Sequence, residues 1–252
     1  TYGGSYIDDI ETFSHLVCQN LQNFSCFNGG VNGYGVLNMV TRSRHDQRLD
    51  DADIVIFTVI SYDFLRGLRN EFFAHFILRE PPKYFSASWE LLNFAASMYP
   101  PNKFFGKYSD ISKTFEQVNT ERMKAVSFAI QNLEIEYKRL QSLGKKVLII
   151  HSPNIAEFSK KEPWVESLEK ELKSVFGKHY FRLHKTLQDE LLKINNSWFN
   201  NEQYLDEKGE KMKKIIASNQ GIFKDTVHFE KKGHQIVAKA IREELQKLNY
   251  LK

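Results

Sequence analysis

A single α/β domain built on a parallel sheet is predicted by three features of this 252-residue chain. The first is a pair of continuous, β-branched apolar runs, "ADIVIFTVI" (52–60) and "KKVLIIHSP" (145–153). Runs without polar alternation fit strands buried on both faces of a sheet. The second is the amphipathic helices between and after these runs, which a parallel sheet requires for its crossovers. The third is size: 252 residues with 42% hydrophobic content can bury a full core in one domain.

The elements follow in order. Asp9 is placed to cap a helix over about 10–23, with Phe13, Leu16, Val17 and Leu21 on one face. "FSCFN" (24–28) is a short strand candidate. "GGVNGYG" (29–35) is a loop, because four glycines in seven residues weaken any regular element. A helix is expected over about 36–48, then the first buried strand. Residues 68–112 break the alternation. They are rich in Phe, Tyr and Trp, hold two Pro-Pro pairs, and are expected to form a helical insertion, either a local mini-core or an apolar substrate wall. A long helix over about 114–143 carries Val118, Val126, Ile130, Leu133, Tyr137 and Leu140 as its apolar stripe, and Gly144 ends it. The second strand comes next, then a helix over about 163–176, a weaker strand at "HYFRL" (179–183), and a last helix over about 231–248 with Ile236, Val237, Ala240, Ile241, Leu245 and Leu248 on one face.

Charge narrows the classes of partner. Thirty-five basic and 31 acidic residues leave a net charge of +4. The lysines alternate with glutamates in stretches such as "EKGEKMKK" and "REELQK", the pattern of solvated helix faces, so no nucleic-acid partner is expected. No apolar run reaches the ~18 residues of a membrane span, and no signal peptide is visible. The chain opens at "TYGGSYID" within an expected loop, so membrane association through a preceding segment stays open. Compartment and oligomeric state are not readable. The two cysteines, Cys18 and Cys26, lack metal-ligand spacing and are expected to be buried thiols.

In an open parallel sheet the loops at the carboxyl ends of the strands carry the chemistry. Those loops are "NGGVNGYG", "SYDFLRG", "HSPN" and "KDTVHF". The last is the most informative. Asp225 and His228 are three apart, just before the final helix. A carboxylate that accepts the imidazole Nδ1–H fixes its tautomer and stabilises the imidazolium formed when Nε2 takes a proton. The alternative is a helix-entry Asp beside an exposed His. His151, at the end of the second strand, is either a pocket residue or a hydrogen-bonded wall residue. His234 is expected to pack or cap the last helix. His45, His75, His179 and His184 show no metal-ligand spacing, and neither a phosphate loop nor a dinucleotide fingerprint is present.

The order of these loops, and many of their residues, resembles the SGNH (GDSL-type) hydrolase superfamily. The likeness runs through most of the chain except 68–112, and "N-x-G-V-x-G-Y-G" and the C-terminal block are its most specific parts. The resemblance implies a three-layer α/β/α sandwich with a flavodoxin-like sheet. It also implies ester hydrolysis through a seryl acyl-enzyme with no cofactor or metal, acting on a small-molecule or glycan ester. His228 is then the general base, Asp225 its orienting acid, and Gly33 N–H an oxyanion donor, with Asn32, Asp63 and His151 at the pocket. Two departures stand out. Where the family carries Gly-x-Asn-Asp, this chain reads Ile60-Ser61-Tyr62-Asp63, so Tyr62 or Ser61 must replace the Asn donor. The family's serine aligns upstream of Thr1, together with the first strand of the sheet. Ser5 is the internal alternative. Acyl transfer to a carbohydrate hydroxyl, or binding without turnover, are the other functions the pattern allows.

Overall fold

A computed structural model describes residues 7–19, 21–31, 34–66, 115–199, 205 and 209–251, with backbone only at 115–121. Its centre is a three-stranded parallel sheet in the order β1 (Ile54–Val59), β2 (Lys146–His151), β3 (Tyr180–Arg182). Ile54 pairs with Lys146 and Val59 with His151, so β1 and β2 run in step over their whole length. β3 joins β2 from the Ile149 and Tyr180 pair to the His151 and Arg182 pair. All three strands therefore end at one edge.

Helices cover both faces. Val55, Phe57, Val59, Val147 and Ile149 face one core with α2 (Val36–His45), α3 (Phe115–Ser142) and α4 (Pro163–Phe176). Leu148, Ile150, Ile54 and Ile56 face the other, with α1 (Phe13–Leu16), α5 (His184–Ile194), α6 (Glu210–Ser218) and α7 (Lys231–Lys247). The described chain is thus an α/β fold with a helix layer on each side of the sheet. β2 is buried at five of its six positions, as its unbroken apolar run requires. β1 alternates between half-buried and buried, because Ile54, Ile56 and Thr58 face a layer that covers them incompletely.

Several expectations hold locally. In α3, Val126, Ile130, Leu133, Tyr137 and Leu140 are buried; Val118 lies outside the described side chains. Gly144 adopts φ +78°, and Lys145 N–H donates to Leu140 O, closing the helix by the left-handed route that glycine allows. α7 buries Val237, Ala240, Ile241 and Leu245.

Other expectations are corrected. Only Phe13–Leu16 of the helix expected over 10–23 is α-helical, and Asp9 lies in a preceding 3₁₀ turn instead of capping it. Val17 still packs in the core, but Gln19, Gln22 and Asn23 beyond it add no apolar face to hold a longer helix, and turns carry the chain away. Residues 24–28 form no strand. The cysteines are not buried thiols: the turn brings Cys18 and Cys26 to a Cα–Cα distance of 5.6 Å, and they form a disulfide. Helix α5 was not expected, and α6 overlaps the "EKGEKMKK" stretch, read only as a solvated helix face. The 68–112 insertion lies outside the described residues.

Two polar devices hold the layers. Glu136 of α3 is fully buried and receives Ser43, Arg44 Nε (3.0 Å) and Arg139 Nη2 (2.7 Å). Burial alone would raise its pKa; these donors more than offset it and hold the carboxylate ionised. Replacing Glu136 by Ala strands those partners and is expected to cost about 1–3 kcal/mol in urea unfolding. The second device is Gly233, in the first turn of α7. A Cβ there would lie 2.0 Å from Ile222 O, so only glycine lets the helix meet the preceding loop. Gly233→Ala is expected to lower stability by about 2–3 kcal/mol or more, read as a fall in urea midpoint at unchanged m-value. A midpoint within error of wild type would contradict the close approach.

Candidate active site

The loop before α7 is built to present two side chains. Buried Asn219 holds its base: its amide donates to Ile216 O (2.8 Å) and Phe223 O (2.9 Å), and its Oδ1 accepts from Ile222 N (2.8 Å) and Phe223 N (3.0 Å). All four of its hydrogen-bonding sites are used. Gln220 and Gly221 then turn the chain through the left-handed region. Phe223 and Phe229 pair antiparallel and pack ring against ring at 5.0 Å. Lys224 N–H donates to His228 O at 2.8 Å, so 224–228 project as a tight tip from an apolar base.

Asp225 organises that tip. Its Oδ1 accepts from Val227 N (2.9 Å) and His228 N (2.8 Å), and its Oδ2 lies 2.7 Å from His228 Nδ1. Partial burial would raise the carboxyl pKa, but the two backbone donors and the imidazole outweigh it and the pKa is lowered. An ionised carboxylate only accepts, so Nδ1 carries the proton and Nε2 the lone pair. This is the tautomer a general base needs. Both side chains are close to half exposed, at 46% and 48%.

Contacts string the candidate loops along the carboxyl edge of the sheet. Ile155 N–H, after β2, donates to Thr226 O at 2.9 Å, tying "HSPN" to the Asp–His tip. Ser152 N–H donates to Val59 O, and Ser61 Oγ lies 3.0 Å from His151 Nε2, tying the ends of β1 and β2. At Gly35, a Cβ would sit 2.8 Å from Asp63 O, so the glycine loop closes directly onto the 61–64 turn. Asn32, Gly33 and Ser5 lie outside the described residues.

The remaining expected site residues are held inward. Ser61 is fully buried, with its hydroxyl on His151; His151 Nδ1 meets Tyr180 Oη at 2.9 Å. His151 is thus a wall residue, and burial, reinforced by Arg182 and Lys161, pulls its pKa to about 3. Asp63 closes its own turn, accepting from Ile60 N (3.0 Å) and pairing with Arg66 (3.1 Å). Tyr62 stands edge-on to Trp164, and its hydroxyl reaches Glu162, before α4, at 3.5 Å. His234 accepts from Phe13 N at 3.0 Å and stacks on that ring, joining α7 to α1 in the packing role expected of it.

Sequence reading missed Glu157. It is buried, its two oxygens have no hydrogen-bond partner among the described residues, and its pKa is raised to about 7. Burial is the main cause; the Glu169 charge adds to it, while the Ser61 hydroxyl and the charges of Arg182 and Lys161 oppose it. Asp63 is likewise raised to about 6 by burial, against the opposing pull of Ile60 N–H and Arg66. No periodicity marks Glu157; its place in "SPNIAEF", a 3₁₀ turn after a buried strand, was the only signal. Among the described residues no cluster of His, Cys, Asp or Glu could hold a metal ion, and no helix is long and apolar enough to cross a membrane. No family model matches the chain, and neither the curated proteins nor the solved structures contain a significant match.

The two raised carboxyls and the depressed histidines act on stability with opposite signs. A carboxyl whose folded pKa is raised contributes stability present below its unfolded pKa and lost as pH rises through the folded one. For Glu157 that window runs from about 4.5 to about 7. His151 works in reverse, losing stability as pH falls from about 6.5 toward 3. Glu157→Gln keeps the shape without the charge. The variant is expected to gain on wild type as pH rises from 5 to 8, by up to roughly 3 kcal/mol. A wild-type-to-variant difference in Tm that is flat with pH would contradict the buried, unpartnered carboxyl.

Proposed function

We propose that this chain carries the acid–base part of a serine-type acyl-ester hydrolase of the SGNH kind. The observation that supports this reading is the Asp225–His228 pair at the carboxyl edge of the sheet, with Nδ1 held at 2.7 Å by the carboxylate. In the proposed reaction a serine Oγ attacks the ester carbonyl while His228 Nε2 takes its proton. Asp225 stabilises the resulting imidazolium. The imidazolium then protonates the leaving alcohol, the acyl group stays on the serine, and water, deprotonated by the same imidazole, releases the acid. Resemblance to the family assigns the attacking serine to a segment before Thr1 and one oxyanion donor to Gly33 N–H. A backbone donor suits that task because it is in place before charge develops. Transfer of the acyl group to a carbohydrate hydroxyl would use the same machinery with a different acceptor.

Binding without turnover is the second reading, and one observation favours it. Neither side chain offered in place of the family's Asn donor is presented as one, since Ser61 is buried on His151 and Tyr62 is drawn to Glu162. Losing one oxyanion donor costs on the order of 10²–10³ in rate.

A fluorophosphonate probe on the full-length protein separates these readings. The hydrolase is expected to be labelled on one serine, located by peptide mass spectrometry. His228→Ala should cut labelling by about 10³ or more, and Asp225→Asn by about 10²–10⁴, because Asn presents an amide to Nδ1 and favours the wrong tautomer. Unlabelled wild type supports the binding reading. Labelling that survives His228→Ala removes the proposed base.

A further inference from the structure

Between α1 and α2 the described residues 21–31 run as a half-buried to exposed strap. Val17 is the last residue buried before it, and Gly35 and Val36 are anchored after it; no residue from Leu21 to Val31 is buried. Its backbone makes only short-range turns, such as Leu21 N–H to Cys18 O and Gly30 N–H to Asn28 Oδ1. Its longer-range ties among the described residues are few. Arg242 donates to Gln19 O at 3.3 Å, the Arg48 guanidinium lies 3.6 Å over the Phe27 ring, and the Cys18–Cys26 disulfide closes a span of eight residues. The first two are exposed polar contacts of low individual strength. The disulfide is covalent, and its Cys18 end stands beside core residue Val17. With the bond in place, the stretch between anchored residues shortens from 17–35 to 26–35. Beyond it, Gly35 abuts Asp63 O after the end of β1. Position and covalency make the bond the main brace of the approach to the glycine loop.

We propose that the Cys18–Cys26 disulfide is a redox-sensitive clasp, which a dithiol reductant opens to release the strap and loosen the glycine loop against the end of β1. Cys26 is exposed and Cys18 half-buried, so a thiolate of the dithiol attacks the Cys26 sulfur. An S–S bond forms to the reductant, the protein S–S bond breaks, and Cys18 leaves as a thiolate that takes up a proton. The second thiol of the reductant then displaces Cys26, which is also protonated, and the reductant departs as its cyclic disulfide. Two electrons have passed from dithiol to protein. The clasped form belongs to an oxidising environment, where such bonds persist. The effect on catalysis rests on the hydrolase reading above; the release of the strap does not.

Hydrogen exchange on the full-length protein, with and without dithiothreitol, tests the clasp independently of ester chemistry. In protein kept from reductant, Cys18 and Cys26 should resist alkylation after denaturation, and in reduced protein both should be alkylated, read by peptide mass spectrometry. On reduction, amides in 19–31 should exchange about 10-fold faster or more, while those of β1 and β2 keep their rates. The Cys18→Ser, Cys26→Ser double variant should reproduce the fast strap without reductant. Turnover of p-nitrophenyl acetate, if wild type shows it, should fall with strap release. Alkylation of Cys18 and Cys26 in unreduced protein, strap exchange unchanged by reduction, or equal acceleration through the sheet would each overturn the proposal. The last outcome would make the bond a support of the whole fold.

Discussion

The in-step pairing of β1 with β2 sets where everything else goes. Six consecutive residues of each strand face one another in parallel, so both strands deliver their chains to the same edge. A parallel pair also forces helical crossovers onto the faces, and α3 and α4 obey that demand on one side. The turn leaving β1 (Ser61, Tyr62, Asp63) and the end of β2 with its loop (His151, Ser152, Asn154) therefore become neighbours, though some 90 residues separate them in sequence. The Ser61–His151 contact is the direct product of this register. A slip of one residue would turn those side chains to opposite faces.

On that edge a single carboxylate organises the tip before α7. Asp225 receives two backbone N–H groups and one imidazole, and each does different work. The backbone donors fold the tip into a turn and hold the carboxylate ionised. The imidazole contact then selects a tautomer and a ring orientation. Asn219, Gly221 and Gly233 act one level down. They fix the base from which the tip projects, without touching it. The buried groups next door, Ser61, His151 and Glu157, and half-buried Tyr180, share the edge but face inward. The depressed pKa of His151 and the raised pKa of Glu157 are consequences of burial.

Much of this was legible in sequence because it rests on long periodic signals. The unbroken apolar runs located β1 and β2 to within two residues, the stripes located α3 and α7, and α4 was placed as the crossover helix after β2. The Asp225–His228 spacing fits the pairing and equally a helix-entry Asp beside an exposed His; the order of the neighbouring loops, not the spacing, favoured the pairing that the structure shows. The failures have physical causes. The helix expected over 10–23 was drawn from four apolar residues, too few to outweigh the turn that the Cys18–Cys26 bond closes. Helix α5 went unread although Leu187, Leu191 and Ile194 give it an apolar stripe, and α6 was read from its charged residues and not from Met212 and Ile215. The inward commitments of Ser61 and Tyr62 depend on His151 and Glu162, each about 90–100 residues away, and no local pattern encodes such contacts.

The most direct measurement is the ¹⁵N chemical shift pair of the His228 imidazole at neutral pH, assigned by its disappearance in His228→Gln. The account predicts a protonated, pyrrole-like Nδ1 and a pyridine-like Nε2, with that preference lost in Asp225→Asn. A proton resident on Nε2 in the wild type, or shifts indifferent to the Asp225 substitution, would contradict the assignment of this ring as the base.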